Sequence, residues 1–367
     1  MSKKKVLIVA GGTGGHMFPA QALALELIDL GYEVSFAGAK LDQNQYFRRD
    51  LFKFVSIVSA TVRMNSGMSL LKSISILFLG FLQSMKFIIS YKPDLTIGFG
   101  SFHTAPLLAA SVCVRSRFIL FESNALPGKV NRFFSRFSQM NALQFEQARR
   151  YVKGITSQVF VPFWQHNQYA EVSKQNALNY YGLSNKKLTI LIFGGSQGAA
   201  SLNNELPRAI FELISLHPDI QVIHFSGASA DVNKIFQSYQ NYQIPVCVKN
   251  FEERMEYAWS AADVVICRSG AATIAEILRF SIPSILIPFP KASENHQTIN
   301  AMALQEIGAS LCLQESKLDT HCLVDALRNL AQEKNRLSMK KSIEEFNQSS
   351  QKEKLVTLVQ LVLEKTK

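Results

Sequence analysis

Val6-Leu-Ile-Val-Ala10 leads straight into Gly11-Gly-Thr-Gly-Gly-His16, and the second half of the chain repeats the device, with Leu188-Thr-Ile-Leu-Ile-Phe193 leading into Gly194-Gly-Ser-Gln-Gly198. A short unbroken apolar run suits a strand buried on both faces of a parallel sheet. A glycine-rich turn behind it lets backbone approach a ligand and leaves amide N–H groups aimed at an anion. Outward from these anchors, apolar runs at Val34–Ala37, Leu95–Gly98, Phe118–Phe121, Val222–Ser226, Val246–Val248, Val264–Cys267 and Ser284–Ile287 alternate with helical patterns. Pro19–Leu30 is one such helix, with Pro near its start and Gly31 just past its end. The alternation predicts an α/β protein of two Rossmann-like domains, each opened by one glycine turn, with a boundary near Pro162. The first spans residues 1–162 and the second 163–342, with an amphipathic helix from about 343 to 367 packing back across the junction. Two such domains are expected to face a cleft at the carboxyl ends of their strands, where open α/β sheets bind ligands.

The 367 residues are 47% hydrophobic and 18% charged, which excludes a disordered chain. Five cysteines lie scattered without C-x-x-C spacing, so neither a disulfide framework nor a zinc site is expected, and a reducing cytoplasm fits them. The basic start Lys3-Lys-Lys5 and the run to Ala10 end in glycines rather than a cleavage site, so no signal peptide is expected.

Charge is unevenly placed. Residues 1–160 hold ten Lys and nine Arg against four Asp and four Glu, whereas the remainder is balanced, so the whole +11 belongs to the first half. A basic first domain implies an anionic partner. No zinc finger, RRM signature or Arg-rich recognition helix supports nucleic acid. Leu70–Ile89 reads as a strongly apolar helix flanked by Lys72 and Lys86. It suits either partial insertion at an anionic headgroup boundary or a core helix beneath basic loops. Its uncharged stretch, Ser73–Met85, falls short of the ~20 residues that span a bilayer.

The turns carry the chemistry. Gly11–His16 does not fit G-x-G-x-x-G, and the second strand ends without an acidic residue, so a nicotinamide dehydrogenase fits poorly. His16 stands at the helix entrance, where it is either structural or a base working near neutral pH. Gly194–Gly198 lacks the Lys-Ser/Thr ending of a Walker loop, while Ser196 can donate to phosphate. In Cys267-Arg-Ser-Gly-Ala-Ala-Thr-Ile-Ala-Glu276, Thr273 and Glu276 match a capping box, or Glu276 accepts from a ribose diol. Gly98-Phe-Gly-Ser-Phe-His-Thr104 and Glu122-Ser-Asn124 follow two further strands, and Asn295–Asn300 opens a helix. No D-x-D pair occurs, so backbone amides and helix N-termini, rather than a divalent metal, must carry any diphosphate.

These motifs together resemble the MurG family, bacterial transferases that add N-acetylglucosamine from UDP-GlcNAc to lipid I and give lipid II in peptidoglycan synthesis. The resemblance rests on GGTGGH at Gly11–His16, FGGSQGA at Phe193–Ala199, CRSGA at Cys267–Ala271 with Glu276, and HQ-x-x-NA at His296–Ala301. It implies a GT-B fold, an inverting hexosaminyl transfer without metal or cofactor, and a peripheral position on the cytoplasmic face of the inner membrane. Anionic lipid and other cell-wall synthesis and division proteins are the further partners it implies. Carried onto this chain, His16 is the base, with Glu122 as the alternative. Thr13, Gly14, Gly15, Asn124, Ser196, Gln297 and the segment Ala271, Ala272, Thr273, Ile274, Ala275 and Glu276 lie at the donor, with Glu276 on the ribose. Glu252 lies where backbone meets the uracil, and Gly98, Gly100, Ser101 and Thr104 lie on the acceptor side.

Three departures stand out. Val161-Pro-Phe-Trp164 replaces the family's Asn-Pro-Val-Arg, Gly98-Phe-Gly-Ser-Phe102 replaces G-x-G-G-Y, and Glu122-Ser-Asn124 replaces Glu-Gln-Asn. They bear on donor affinity and acceptor-loop detail more than on reaction class. Two rivals remain on the sequence: a GT-B transferase acting on another membrane lipid, and a catalytically silent scaffold in a cell-division assembly.

Overall fold

The structure is a computed structural model that describes residues 3–60, 67–162, 172–195, 197–215, 217–349 and 352–365, with backbone alone for 67–71 and 349. Among the described residues the chain forms two compact units, Met1–His166 with Gln351–Lys367, and Asn167–Ser350.

The first unit is built on an eight-stranded sheet in the order β14-β7-β6-β5-β4-β1-β2-β3, parallel throughout. Its strands are β1 (Lys5–Val9), β2 (Glu33–Gly38), β3 (Lys53–Ser56), β4 (Leu95–Gly98), β5 (Phe118–Glu122), β6 (Met140–Leu143), β7 (Thr156–Phe160) and β14 (Glu353–Lys354). Helices α1 (Gly14–Asp29), α2 (Gly67–Tyr91), α3 (Ala105–Cys113) and α4 (Lys129–Phe134) follow in chain order. Every residue of β4 and β5 is buried, as expected of strands covered on both faces.

Two expectations need correction here. The first helix does not wait for Pro19 but begins at Gly14, so Pro19 lies inside it and the glycine turn itself supplies the helix N-terminus. Pro tolerates a first helical turn well, which made it a natural but misleading boundary mark. The C-terminal stretch is not one helix from about 343. It is α12 (Glu333–Ser349), then β14, then α13 (Leu355–Glu364), and only the last two belong to the first unit. Lys4 Nζ donates to the Leu363 carbonyl at 2.9 Å and Arg117 donates to the Val362 carbonyl, tying the C-terminal end of α13 to this unit.

Helix α2 keeps one face in the core. Ser84 and Ile88 are buried, and a Cβ on Gly80 would sit 2.0 Å from the Val58 carbonyl oxygen, so glycine alone permits that approach. The opposite face leaves Ile74, Phe78 and Leu82 exposed at helical spacing, with Leu79 and Ile89 beside them. Taken as a helix rather than an uncharged run, Lys72–Tyr91 is 20 residues long and, by length and composition only, apolar enough to cross a membrane.

The second unit has a six-stranded parallel sheet in the order β10-β9-β8-β11-β12-β13. Its strands are β8 (Leu188–Phe193), β9 (Ile220–Phe225), β10 (Val246–Lys249), β11 (Val264–Cys267), β12 (Ser284–Leu286) and β13 (Ser310–Cys312). Its helices, besides α12, are α5 (Lys174–Tyr181), α6 (Ala200–Ile214), α7 (Val232–Gln240), α8 (Met255–Ala261), α9 (Ala271–Phe280), α10 (His296–Glu306) and α11 (Thr320–Ala331). Ile190, Ile192, Val222 and Ile266 from the sheet pack with Leu206 and Ile210 of α6 and Leu323 and Leu327 of α11 in one core.

Candidate active site

In the first unit, β1 ends at Val9 and α1 begins at Gly14, with Thr13 as an extended N-cap residue whose side chain does not close the cap. The first amides of a helix lie ahead of its hydrogen-bond ladder, so Gly14 and Gly15 bring donors and the positive end of the helix to one place. His16 N–H closes back on the Thr13 carbonyl at 3.1 Å. The turn lies against the β4 loop. A Cβ on Gly11 would meet His103 Cβ at 2.8 Å, and one on Gly12 would approach Ser101 Oγ at 3.4 Å. A pocket of about 310 Å³ opens beside it, lined by Gly12, Lys40, Asn44, Tyr46 and His103. Asn44 Nδ2 donates to the Gly12 carbonyl at 2.9 Å, which fixes the turn from that side. Burial lowers the His103 pKa, and the charges of His16 and Lys40 push the same way.

The residues expected on the acceptor side divide. Ser101 is half-buried at φ 76°, ψ 151°, a region almost reserved for glycine, so the replacement of the family glycine is a strained one. Thr104 is fully buried and donates to the Ser101 carbonyl at 2.9 Å; Gly98 is buried against Leu108 and Leu120. Both support the loop instead of facing solvent. Gly100 is buried beside Asn131.

Glu122 closes β5 and is 4% exposed. Its Oε1 accepts from Asn124 N and Nδ2 and its Oε2 from Gly128 N and Asn131 Nδ2, all at 3.0 Å. Four donors saturate the carboxylate, so this geometry suits holding the 122–128 loop better than taking a proton.

In the second unit, β8 runs into Gly194–Ala199 and then α6, and Ser196 lies outside the described residues, as does Trp164. Cys267 closes β11, and Gly270 is the extended N-cap of α9. Thr273 is thus the third helical residue and cannot cap Glu276, which removes the capping-box reading. Along the segment, Ala271, Ile274 and Ala275 are buried, whereas Ala272, Thr273 and Glu276 are half-buried. Burial pushes the Glu276 carboxyl up to about 7, with the Trp259 indole pulling against it. Gln297, on the first turn of α10, accepts the Phe289 N–H at 2.9 Å through Oε1, while its carbonyl accepts Ser269 Oγ–H at 2.8 Å.

Glu252 turns inward. Its carboxylate accepts from Lys249 Nζ at 2.8 Å, Arg254 N at 2.9 Å and Tyr181 OH at 3.2 Å. Burial works to raise its pKa, but the Lys249 ammonium and the Arg254 amide outweigh it and hold the group below its ordinary value. Arg268, inside a quoted motif yet given no role from sequence, forms a bidentate pair with Glu315 and also donates to the Ile287 and Pro288 carbonyls. Nothing local marks Glu315 as its partner.

Two parallel α/β units, each with a glycine turn leading into a helix N-terminus, define a two-domain nucleotide-sugar glycosyltransferase. Residues 6–142 match the glycosyltransferase family 28 N-terminal domain and residues 189–358 its C-terminal domain. A protein of Protochlamydia amoebophila is 41% identical over 300 residues, covering 81% of this chain and 79% of its own. One of Chlamydia pneumoniae is 31% identical over 347 residues, covering 94% of both. Both bear the name UDP-N-acetylglucosamine--N-acetylmuramyl-(pentapeptide) pyrophosphoryl-undecaprenol N-acetylglucosamine transferase. The crystal structure of Acinetobacter baumannii MurG superposes with a TM-score of 0.78 at 25% identity, covering 99% of this chain and all of that one. The chain belongs to the MurG family and has its GT-B fold.

Proposed function

We propose that this protein transfers N-acetylglucosamine from UDP-N-acetylglucosamine to the C4 hydroxyl of the N-acetylmuramyl unit of lipid I, with inversion, giving lipid II. The observation that carries this reading is the pair of glycine turns, each delivering a helix N-terminus at the carboxyl end of a buried parallel strand. Helix N-termini and their free amides hold diphosphate without any other special device.

The first unit takes the acceptor and the second the donor. The acceptor oxygen attacks the anomeric carbon from the face opposite UDP, the new C–O bond forms as the bond to UDP breaks, and UDP leaves with the electron pair. His16 takes the hydroxyl proton, help typically worth ~10²–10⁴-fold. Glu122, with four donors on its carboxylate, holds Asn124 in place for the sugar. The turn at Gly194–Ala199 and the start of α9 meet the diphosphate, and Glu276 accepts from the ribose hydroxyls. Glu252 acts through backbone: its buried pairing with Lys249 shapes the 250–254 loop beside the base.

The exposed apolar face of α2 rests in the headgroup layer of an anionic membrane. Phe133 and Phe137, both exposed and both under the Arg136 guanidinium, belong to the same basic unit and suit the same boundary. These surfaces support a peripheral position on the cytoplasmic leaflet.

The test is transfer of labelled N-acetylglucosamine from UDP-N-acetylglucosamine to a short-chain lipid I analogue with EDTA present. Transfer that falls about 10²-fold or more in His16→Ala supports the account. Transfer to diacylglycerol instead, or none to any acceptor, overturns it.

A further inference from the structure

A fully buried polar chain in the second unit reaches from α7 to the turn that opens α6. His224 on β9 and Tyr239 on α7 are both 0% exposed, and Asn203 on α6 is 9% exposed. His224 Nδ1 lies 3.0 Å from Tyr239 Oη, and its Nε2 lies 3.0 Å from Asn203 Oδ1. Asn203 Nδ2 donates to the Ser226 carbonyl at 3.0 Å. That last bond fixes every proton in the series. Because the Asn203 amide nitrogen faces a carbonyl, its oxygen must accept, so His224 carries its proton on Nε2. His224 Nδ1 then accepts from the Tyr239 hydroxyl. Three residues from three elements are satisfied in one direction only.

The series ends where two loops touch. A Cβ on Gly198 would lie 2.3 Å from the Ser226 oxygen, and one on Gly227 would lie 2.2 Å from Gly198 Cα. The glycine turn after β8 therefore rests directly on the backbone whose carbonyl Asn203 holds. Ser229 Oγ adds a bond to the Gln197 carbonyl at 2.9 Å. On the other side, Gly227 N–H donates to the Asn250 carbonyl at 3.0 Å, and Ser226 Oγ donates to Asn250 Oδ1 at 3.1 Å. The 226–227 backbone thus bridges the turn assigned to the diphosphate and the loop assigned to the base.

We infer that His224 is a positioning residue for the nucleotide donor, acting through Asn203 and the Ser226 carbonyl to set the Gly194–Ala199 turn against the Asn250 loop. The inference rests on the reading that this turn holds the donor's diphosphate. Burial, which depresses His224 to about 3, keeps the ring neutral at every working pH, so the series does not switch. It is a fixed scaffold. Removing a partner from a buried chain leaves the remaining groups unsatisfied, and the cheapest relaxation is for the Ser226 carbonyl and the turn on it to move.

Three variants test it: His224→Phe, Tyr239→Phe and Gly198→Ala, each followed by kcat, by KM for both substrates, by UDP affinity in calorimetry and by thermal melting. In His224→Phe the expected result is a rise of about tenfold in donor KM and in UDP Kd, with acceptor KM and saturated kcat within about threefold. Tyr239→Phe, which keeps the ring and the His224–Asn203 bond, is expected to raise donor KM about threefold with the same selectivity; it carries the test where His224→Phe does not fold. Unchanged donor KM in a folded His224→Phe or Tyr239→Phe protein, or an equal loss in both substrates' KM, overturns the inference. Gly198→Ala separates the two readings. If it weakens UDP binding while the His224 and Tyr239 variants do not, only the positioning role fails. If it leaves UDP binding intact, the diphosphate reading fails and the inference with it.

Discussion

The Arg268 guanidinium meets the Glu315 carboxylate through two bonds of 2.9 Å, and Ser201 of α6 donates to the same carboxylate. One ion pair therefore braces the end of β11, the start of α6 and the loop before α11. Burial works to raise the Glu315 pKa, but Arg268 and Ser201 together hold it below its ordinary range. A carboxylate lowered in the folded state adds stability above its unfolded pKa, and that stability is lost as pH falls through the folded value. Glu315→Gln is expected to cost about 2 kcal/mol near neutrality and to lose that deficit in acid. Urea unfolding across the acid range measures both. A deficit independent of pH would mean the charge of Glu315 contributes nothing.

Glu276 has the opposite sign. Its carboxyl is raised from 4.5 to about 7, so it favours the folded state while protonated, and this contribution is lost as pH climbs through about 7. The ribose hydroxyls proposed to donate to it are held best by the ionised form. UDP affinity is thus expected to fall about tenfold per pH unit below 7 and to level off above it. In Glu276→Gln both the affinity slope and the stability slope disappear. Calorimetry at several pH values decides the point, and an unchanged slope in the Gln variant removes Glu276 from the ribose.

Ser101 sits at φ 76°, ψ 151°, where a Cβ is unwelcome. Glycine there costs some unfolded-state entropy but relieves the strain. Ser101→Gly is expected to stabilise the protein by about 1 kcal/mol, a shift of roughly 2–4 °C. Its Oγ accepts only a long 3.4 Å bond from His103 N, so little is lost with the hydroxyl. A lower melting temperature would show that the side chain, not the backbone, decides.

Substituting Ile74, Phe78 and Leu82 with Ser removes three of the exposed apolar side chains of α2 without touching its buried side. Each side chain is worth about 1.5–3 kcal/mol on leaving water, so partition to anionic liposomes should fall by at least about 10²-fold. Turnover on a water-soluble acceptor analogue should stay within about twofold. Retained liposome binding would assign membrane contact elsewhere on the molecule.

Both glycine turns, the parallel strands behind them and the basic first half were legible in sequence because each rests on local composition. Strands β3, β6, β7, β13 and β14 were not, since short segments with few consecutive apolar residues carry too little pattern. Pro19 misplaced the start of α1 because local propensity gave way to a strand that runs through its turn directly into helix. The spacing of Thr273 and Glu276 fits a cap, but Gly270 takes that position. Glu122 and Glu252 could be singled out in the sequence, yet which way a side chain turns depends on partners such as Asn131 and Tyr181 that only tertiary packing supplies. Arg268 with Glu315, and His224 with Asn203 and Tyr239, join residues on different elements, a pairing that no local periodicity marks.

On the proposed function, amides and helix N-termini of the second unit hold the donor's diphosphate without a divalent cation. UDP titrated calorimetrically into the whole protein, once in EDTA and once in excess Mg²⁺, decides the point. The two affinities are expected within about twofold of each other; binding that appears only when Mg²⁺ is supplied would mean a metal, not the backbone, carries the diphosphate.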